Sequence, residues 1–150
     1  MTKILIFFFL IFCDLVSKYL VKNNLILNHS IELNSFFDLV YVQNYGVSFG
    51  MFSGVISHWI LIIVALLVVL LIVYLMYVSK KRLERFAYFI IIIGAISNIA
   101  DRTINTFVVD FISIHYSNFY WPAFNLADIY ITIGIIMLII SFFNKSEPNI

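Results

Sequence analysis

Asp110 and Asp128 stand in the strings Val108-Val109-Asp110-Phe111 and Phe124-Asn125-Leu126-Ala127-Asp128, at the edges of long apolar runs. A carboxylate next to hydrocarbon is costly unless something pairs it or uses it, so each is a functional candidate. Two of them on segments that meet can share one proton. That arrangement activates a water with one group and polarises a carbonyl with the other, the chemistry of acid–base hydrolysis. The competing reading is a pair of helix caps, because a carboxylate in a first helical turn suits the helix dipole. Asn125 is the better cap for the segment that carries Asp128, and capping gives Asp110 no role. Spacing alone leaves both readings open.

The elements that must position these groups are membrane helices. The chain is 63% hydrophobic and 11% charged, against about 25% charged residues in a soluble domain. Its mean hydropathy is +1.06. This composition describes one integral membrane domain over residues 1–150, mainly α. A net charge of +1 offers no basic surface for nucleic acid. The single cysteine, Cys13, excludes an internal disulfide framework and a thiolate metal cluster, and reads as a small buried hydrophobe. His29, His58 and His115 lack ligand spacing and read as interfacial or loop histidines.

Four stretches reach the roughly 20 residues that a spanning helix requires. They cover about residues 4–21, 55–78, 86–104 and 123–143. The first follows Met1-Thr2-Lys3 and is read as an uncleaved helix, since Phe12 stands where a lipoprotein cleavage site needs a small residue. Between the second and third spans lies Lys80-Lys81-Arg82-Leu83-Glu84-Arg85. Its positive charges place this loop, and with it both termini, in the cytoplasm. Residues 22–54 and 105–122 then face outward. The first of these holds two short strands, Ile31-Glu32-Leu33-Asn34 and residues 39–44, with a turn at Asn44-Tyr45-Gly46. Residues 47–52 read as a short apolar helix lying on the membrane. Phe36, Phe37, Tyr41, Tyr116, Phe119, Tyr120 and Trp121 suit an interfacial aromatic belt.

This topology puts Asp14, Asn44, Asn98, Asp101, Arg102, Asp110, Asn125 and Asp128 in the outer half. A polar site opening outward is the economical reading. Asp14 and Lys18 are spaced i, i+4 and so share one helix face. They read as an internal ion pair that supports the bundle, with Lys18 and Lys22 also able to snorkel outward. Asp101 and Arg102 read either as a structural pair, or with Arg102 free to contact a substrate carbonyl or a lipid headgroup. A transporter that relays protons would carry polar groups at the midplane and on both sides of it. A purely structural subunit would tolerate Asp→Asn at both candidates. A serine protease lacks support, because Ser97 and Ser113 have no His or Lys at a suitable depth.

Five strings in order resemble the lipoprotein signal peptidases, the bacterial signal peptidase II family of inner-membrane aspartyl proteases. They are Asp14-Leu15-Val16-Ser17-Lys18, Asn44-Tyr45-Gly46-Val47-Ser48-Phe49, Asn98-Ile99-Ala100-Asp101-Arg102, and the two that hold Asp110 and Asp128. The chain departs from the family pattern at Ser97 and Thr106, where glycines are usual. The resemblance implies a four-helix bundle with a small extracytoplasmic β-element and a short interfacial helix. It implies a substrate too: a prolipoprotein cut just before a cysteine that carries a diacylglyceryl thioether. Asp110 and Asp128 are the implied catalytic pair, and which is the initial base stays open. Asn44, Gly46, Asn98, Arg102 and Asn125 are implied to bind substrate or orient the site, with Asp14, Lys18 and Asp101 as support. No metal or cofactor is implied. The partners are the lipid-modified signal peptide and membrane phospholipid. A monomer inhibited by globomycin-type cyclic peptides is the remaining expectation.

Overall fold

The structure, a computed structural model, describes residues 2–46, 56–117 and 119–144. Its order is α1 (Thr2–Asn24), β1 (Ser30–Asn34), β2 (Phe37–Asn44), α2 (His58–Val78), α3 (Arg82–Asn105), β3 (Val108–Tyr116), β4 (Phe119–Tyr120) and α4 (Leu126–Phe143). All four helices are long and apolar enough to cross a membrane. At 1.5 Å per residue, the 21 residues of α2 reach about 30 Å, the thickness of a hydrocarbon core. The proposed interfacial helix at 47–52 lies outside the described residues.

The helices are apolar outside and partly polar inside. Phe8, Phe9, Leu67, Leu70 and Leu71 are exposed, while Asp14, Lys18, Ser97, Asp101, Arg102 and Asn125 are buried. Lipid solvates the first set, and the second must find partners within the bundle. Helix α3 supplies most of the packing, touching α1, α2 and, most extensively, α4. Glycines set the α3–α4 approach. A Cβ on Gly94 would lie 2.4 Å from the Ala127 carbonyl oxygen, and one on Gly134 2.8 Å from that of Ala87. Small residues allow such backbone contact where no hydrophobic force draws helices together. At the far end Glu84 accepts from Ser79 and Ser141, tying α2, α3 and α4 beside the basic loop.

At the other end sits an antiparallel sheet in the order β1-β2-β3-β4. The β1–β2 turn is closed by the Asn34 side chain, which accepts the amides of Phe36 and Phe37. Val21, Tyr41, Phe107, Val109 and Phe111 form the core that seats the sheet on the helices.

Every helix has at least one end that differs from the sequence reading, α2 starting at His58 instead of 55 and α3 covering Arg82–Asn105 instead of 86–104. Helix α1 continues to Asn24, and α4 begins at Leu126 instead of 123. Phe124 is held in extended form by a bridge to Ile112, and Asn125 caps the helix that follows. The larger difference is β3, in a segment read only as an outward connection. Residues 108–111 are buried on both faces, so the alternation that marks a half-exposed strand is missing.

Candidate functional site

The sheet and the helix ends bring the two aspartates together through one residue, Asn125. It is the N-cap of α4, and its side-chain oxygen accepts the Asp128 amide at 3.1 Å. The Asp128 carboxylate accepts the Asn125 amide at 3.2 Å in return, completing a capping box. The other end of the same side chain donates Nδ2 to Asp110 Oδ1 at 2.6 Å. Capping and convergence are therefore one arrangement. The fully buried Asn125 thus contacts Asp128 through its backbone amide and side-chain oxygen and Asp110 through its side-chain nitrogen.

Asp110 comes from β3, where it pairs in register with Val42 of β2. Two residues further along β2, Asn44 donates its amide to Asp110 Oδ2 at 3.0 Å, and its own oxygen accepts the Gly46 amide at 2.9 Å. Asp110 is 3% exposed. Burial pushes its carboxyl up to about 7, the charge of Asp128 adds to this, and the hydrogen bonds from Asn44 and Asn125 oppose it. Asp128 is only half-buried and so is the more accessible of the two.

A second set of contacts reaches Asp128 from α1 and α3. Asn98 donates to Asp128 Oδ1 at 2.9 Å, and its oxygen accepts Lys18 Nζ at 2.7 Å. Lys18 also meets Asp14 at 2.7 Å. Asp14 in turn accepts the Ala127 amide at 2.9 Å, one residue before Asp128. A ring closes: Asp14, Lys18, Asn98, Asp128, then the backbone to Ala127 and back. The i, i+4 pair of the sequence reading is present, with both side chains at 1% exposure or less. It does more than hold α1 to the bundle, since both members touch the surroundings of Asp128. Lys18 does not snorkel. Lys22 does, lying over the Phe107 ring and donating to Asn105.

Asp101 and Arg102 do not pair with each other among the described contacts. Adjacent helical residues point about 100° apart, which sends them to different partners. Asp101 accepts the Val109 amide at 2.8 Å and the Asn105 side chain at 2.6 Å, which fixes the start of β3 just before Asp110. Arg102 donates to the carbonyls of Asn44 and Gly46, so it holds the end of β2. Thr106, at the C-cap of α3, has φ 69°, the left-handed conformation that favours glycine. Ser97, at the other departure, is fully buried and donates to Asp14 at 2.6 Å.

The structure thus assembles Asn44, Gly46, Asn98, Arg102, Asn125, Asp110 and Asp128 at one end of the bundle, with Asp14, Lys18 and Asp101 around them. Sequence reasoning missed the contacts made by the backbone amides of Val109 and Ala127, which no side-chain motif marks. It also missed the Asp38–His115 pair at 3.1 Å across β2 and β3. Among the described residues no three His, Cys, Asp or Glu side chains converge as metal ligands do. Two carboxylates linked through one amide, one shielded and one accessible, can hold a single proton between them. They can then act as acid and base on the two sides of a carbonyl.

A sequence profile of signal peptidase (SPase) II matches residues 6–144. The lipoprotein signal peptidase of Thermodesulfovibrio yellowstonii is 41% identical over 133 residues, covering 88% of each chain. That of Vibrio parahaemolyticus is 38% identical over 140 residues, 89% of this chain and 83% of its own. A bacterial membrane enzyme solved by the in meso method at 2.3 Å resolution superposes with a TM-score of 0.84 at 29% identity, covering 99% of this chain and 94% of its own.

Proposed function

Because this chain belongs to the signal peptidase II family, we propose that it is an aspartic endopeptidase in which Asp110 and Asp128 form the catalytic pair. Family membership makes it a membrane protease that removes signal peptides from prolipoproteins. The finer reading is a cut just before a diacylglyceryl-modified cysteine, made by one peptidase domain acting as a monomer.

The accessible Asp128 is the base and the shielded Asp110 carries the proton. Asp128 takes a proton from a water, and the resulting hydroxide attacks the scissile carbonyl carbon. Asp110 gives its proton to the carbonyl oxygen as the tetrahedral diol forms. On collapse, Asp128 delivers its proton to the leaving amine and Asp110 recovers one from the diol. No covalent intermediate forms, and both carboxyls end as they began. Asn44 and Asn125 hold Asp110 in place, Asn98 holds Asp128, and Arg102 holds the strand end bearing Asn44.

In this reading the basic loop and both termini are cytoplasmic, and the site lies at the outer leaflet of a bacterial inner membrane. The lipid chains of the substrate hold its cysteine near headgroup depth, and the exposed apolar helix faces receive its signal helix among the phospholipids. A globomycin-type cyclic peptide competes for the same site. The observation that carries the reading is the Asn125 bridge, which joins a cap, a strand and two carboxylates that would otherwise repel.

The test is incubation of the purified protein with a diacylglyceryl-modified prolipoprotein. The expected result is release of the signal peptide, with turnover lowered more than about 100-fold in Asp110→Asn and in Asp128→Asn. Near-normal turnover in either folded variant would refute the assignment.

A further inference from the structure

Ser97 stands outside the proposed chemistry. Its placement on α3 is specific. It is fully buried, one residue before Asn98, and its hydroxyl donates to Asp14 Oδ2 at 2.6 Å. The same oxygen receives Lys18 Nζ at 2.7 Å, and the other carboxylate oxygen receives the Ala127 amide at 2.9 Å. Asp14 therefore collects donors from three helices: Lys18 on its own α1, Ser97 on α3 and the first turn of α4. A glycine at position 97 would leave two. Asp14 has 0% exposure, so a lost donor is not replaced by contact with bulk solvent.

We propose that Ser97 is a positioning residue for the reaction, acting through Asp14 to hold the first turn of α4 and with it Asp128. This rests on the assignment of Asp128 to the catalytic pair. The hydroxyl fixes the Asp14 carboxylate at one edge, the carboxylate fixes the Ala127 amide, and the neighbouring Asp128 then meets Asn98 and Asn125 at set distances. A sub-ångström shift of that turn loosens the Asn98 and Asn125 bonds together, because both converge on one carboxylate. Substrate binding, which depends on lipid and peptide contacts elsewhere, is spared.

The test compares Ser97→Ala and Ser97→Gly with the unaltered protein, in detergent, at a temperature where all are folded. A hydrogen-bond role predicts that both lower kcat by about three- to tenfold, with KM unchanged. A role in filling space predicts that Ala is neutral and Gly is not. A double-mutant cycle with Asp14→Asn adds a second readout: removing the hydroxyl costs little further once the carboxylate is gone. Amide exchange across residues 126–128, measured without substrate, should quicken in both Ser97 variants. Unchanged kcat in the folded variants overturns the proposal, whether or not exchange changes. Unaltered protein that leaves prolipoprotein uncut refutes the functional reading instead. In that case unchanged exchange also removes the tie, and faster exchange leaves it as a purely structural contact, which equally overturns a positioning role.

Discussion

Replacing Asp110 by asparagine should abolish cleavage and at the same time make the protein more stable at alkaline pH. Asp110 is 3% exposed, and its carboxyl is raised from 3.8 to about 7, first by burial and then by the charge of Asp128. A carboxyl that binds its proton more tightly when folded favours the fold while the proton stays on. That advantage is complete below the unfolded value and is lost as pH rises through the folded one. The full shift corresponds to about 4 kcal/mol at about 1.36 kcal/mol per unit. Between pH 5 and pH 9 the loss amounts to about 3 kcal/mol, since the unfolded group is already ionised at pH 5. For a chain of this size that is a fall in Tm of about 6–12 °C. Asp110→Asn cannot ionise and does not suffer this loss. It lacks one of the two acceptors facing Asn44 and Asn125, a cost of about 1 kcal/mol that does not change with pH. Thermal unfolding of both proteins in one detergent, from pH 5 to pH 9, reads the difference between the two curves and cancels the titrating groups that do not interact with Asp110. Asp110→Asn should start about level with the unaltered protein at pH 5 and finish about 3 kcal/mol above it at pH 9. Parallel curves would refute the burial argument and, with it, the claim that Asp110 holds the proton at neutral pH.

Asn125→Ala removes both the cap and the bridge, whereas Asn125→Ser keeps a capping oxygen that is too short to reach Asp110. The alanine variant should lose about 2–4 kcal/mol of stability and the serine variant about 1 kcal/mol less, while both lose cleavage; equal Tm values would deny the capping role. Gly94→Ala forces a Cβ against the Ala127 carbonyl and should cost about 1–3 kcal/mol, with reduced turnover, measured by melting and by cleavage. Thr106→Gly relieves a β-branched residue at φ 69° and should raise Tm by about 1–4 °C at unchanged activity; a lower Tm would contradict the strain. In a Cys13→Ala background, a cysteine at Glu32 should react with an impermeant thiol reagent in intact cells and one at Lys80 should not, and the reverse pattern would invert the proposed orientation.

Some of this protein is legible in the chain alone. Four spans, the gathering of forbidden polar residues at one end and the shared face of Asp14 and Lys18 follow from hydropathy and the helical repeat, which are local properties. Asp110 and Asp128 stand out because a carboxylate beside hydrocarbon is conspicuous wherever it occurs. Strand β3 was not legible, because its first half is buried on both faces and reads as an apolar connection. The destinations of side chains were not legible either. Lys18 points to Asn98 instead of snorkelling, Asp101 takes the Val109 amide instead of Arg102, and Asn125 serves α4 with one end and Asp110 with the other. A donor chooses its acceptor by which helix and strand ends meet at that depth. The packing of α3 on α4 at Gly94 and the seating of β3 on the helix ends decide that meeting, and no local pattern along the chain carries it.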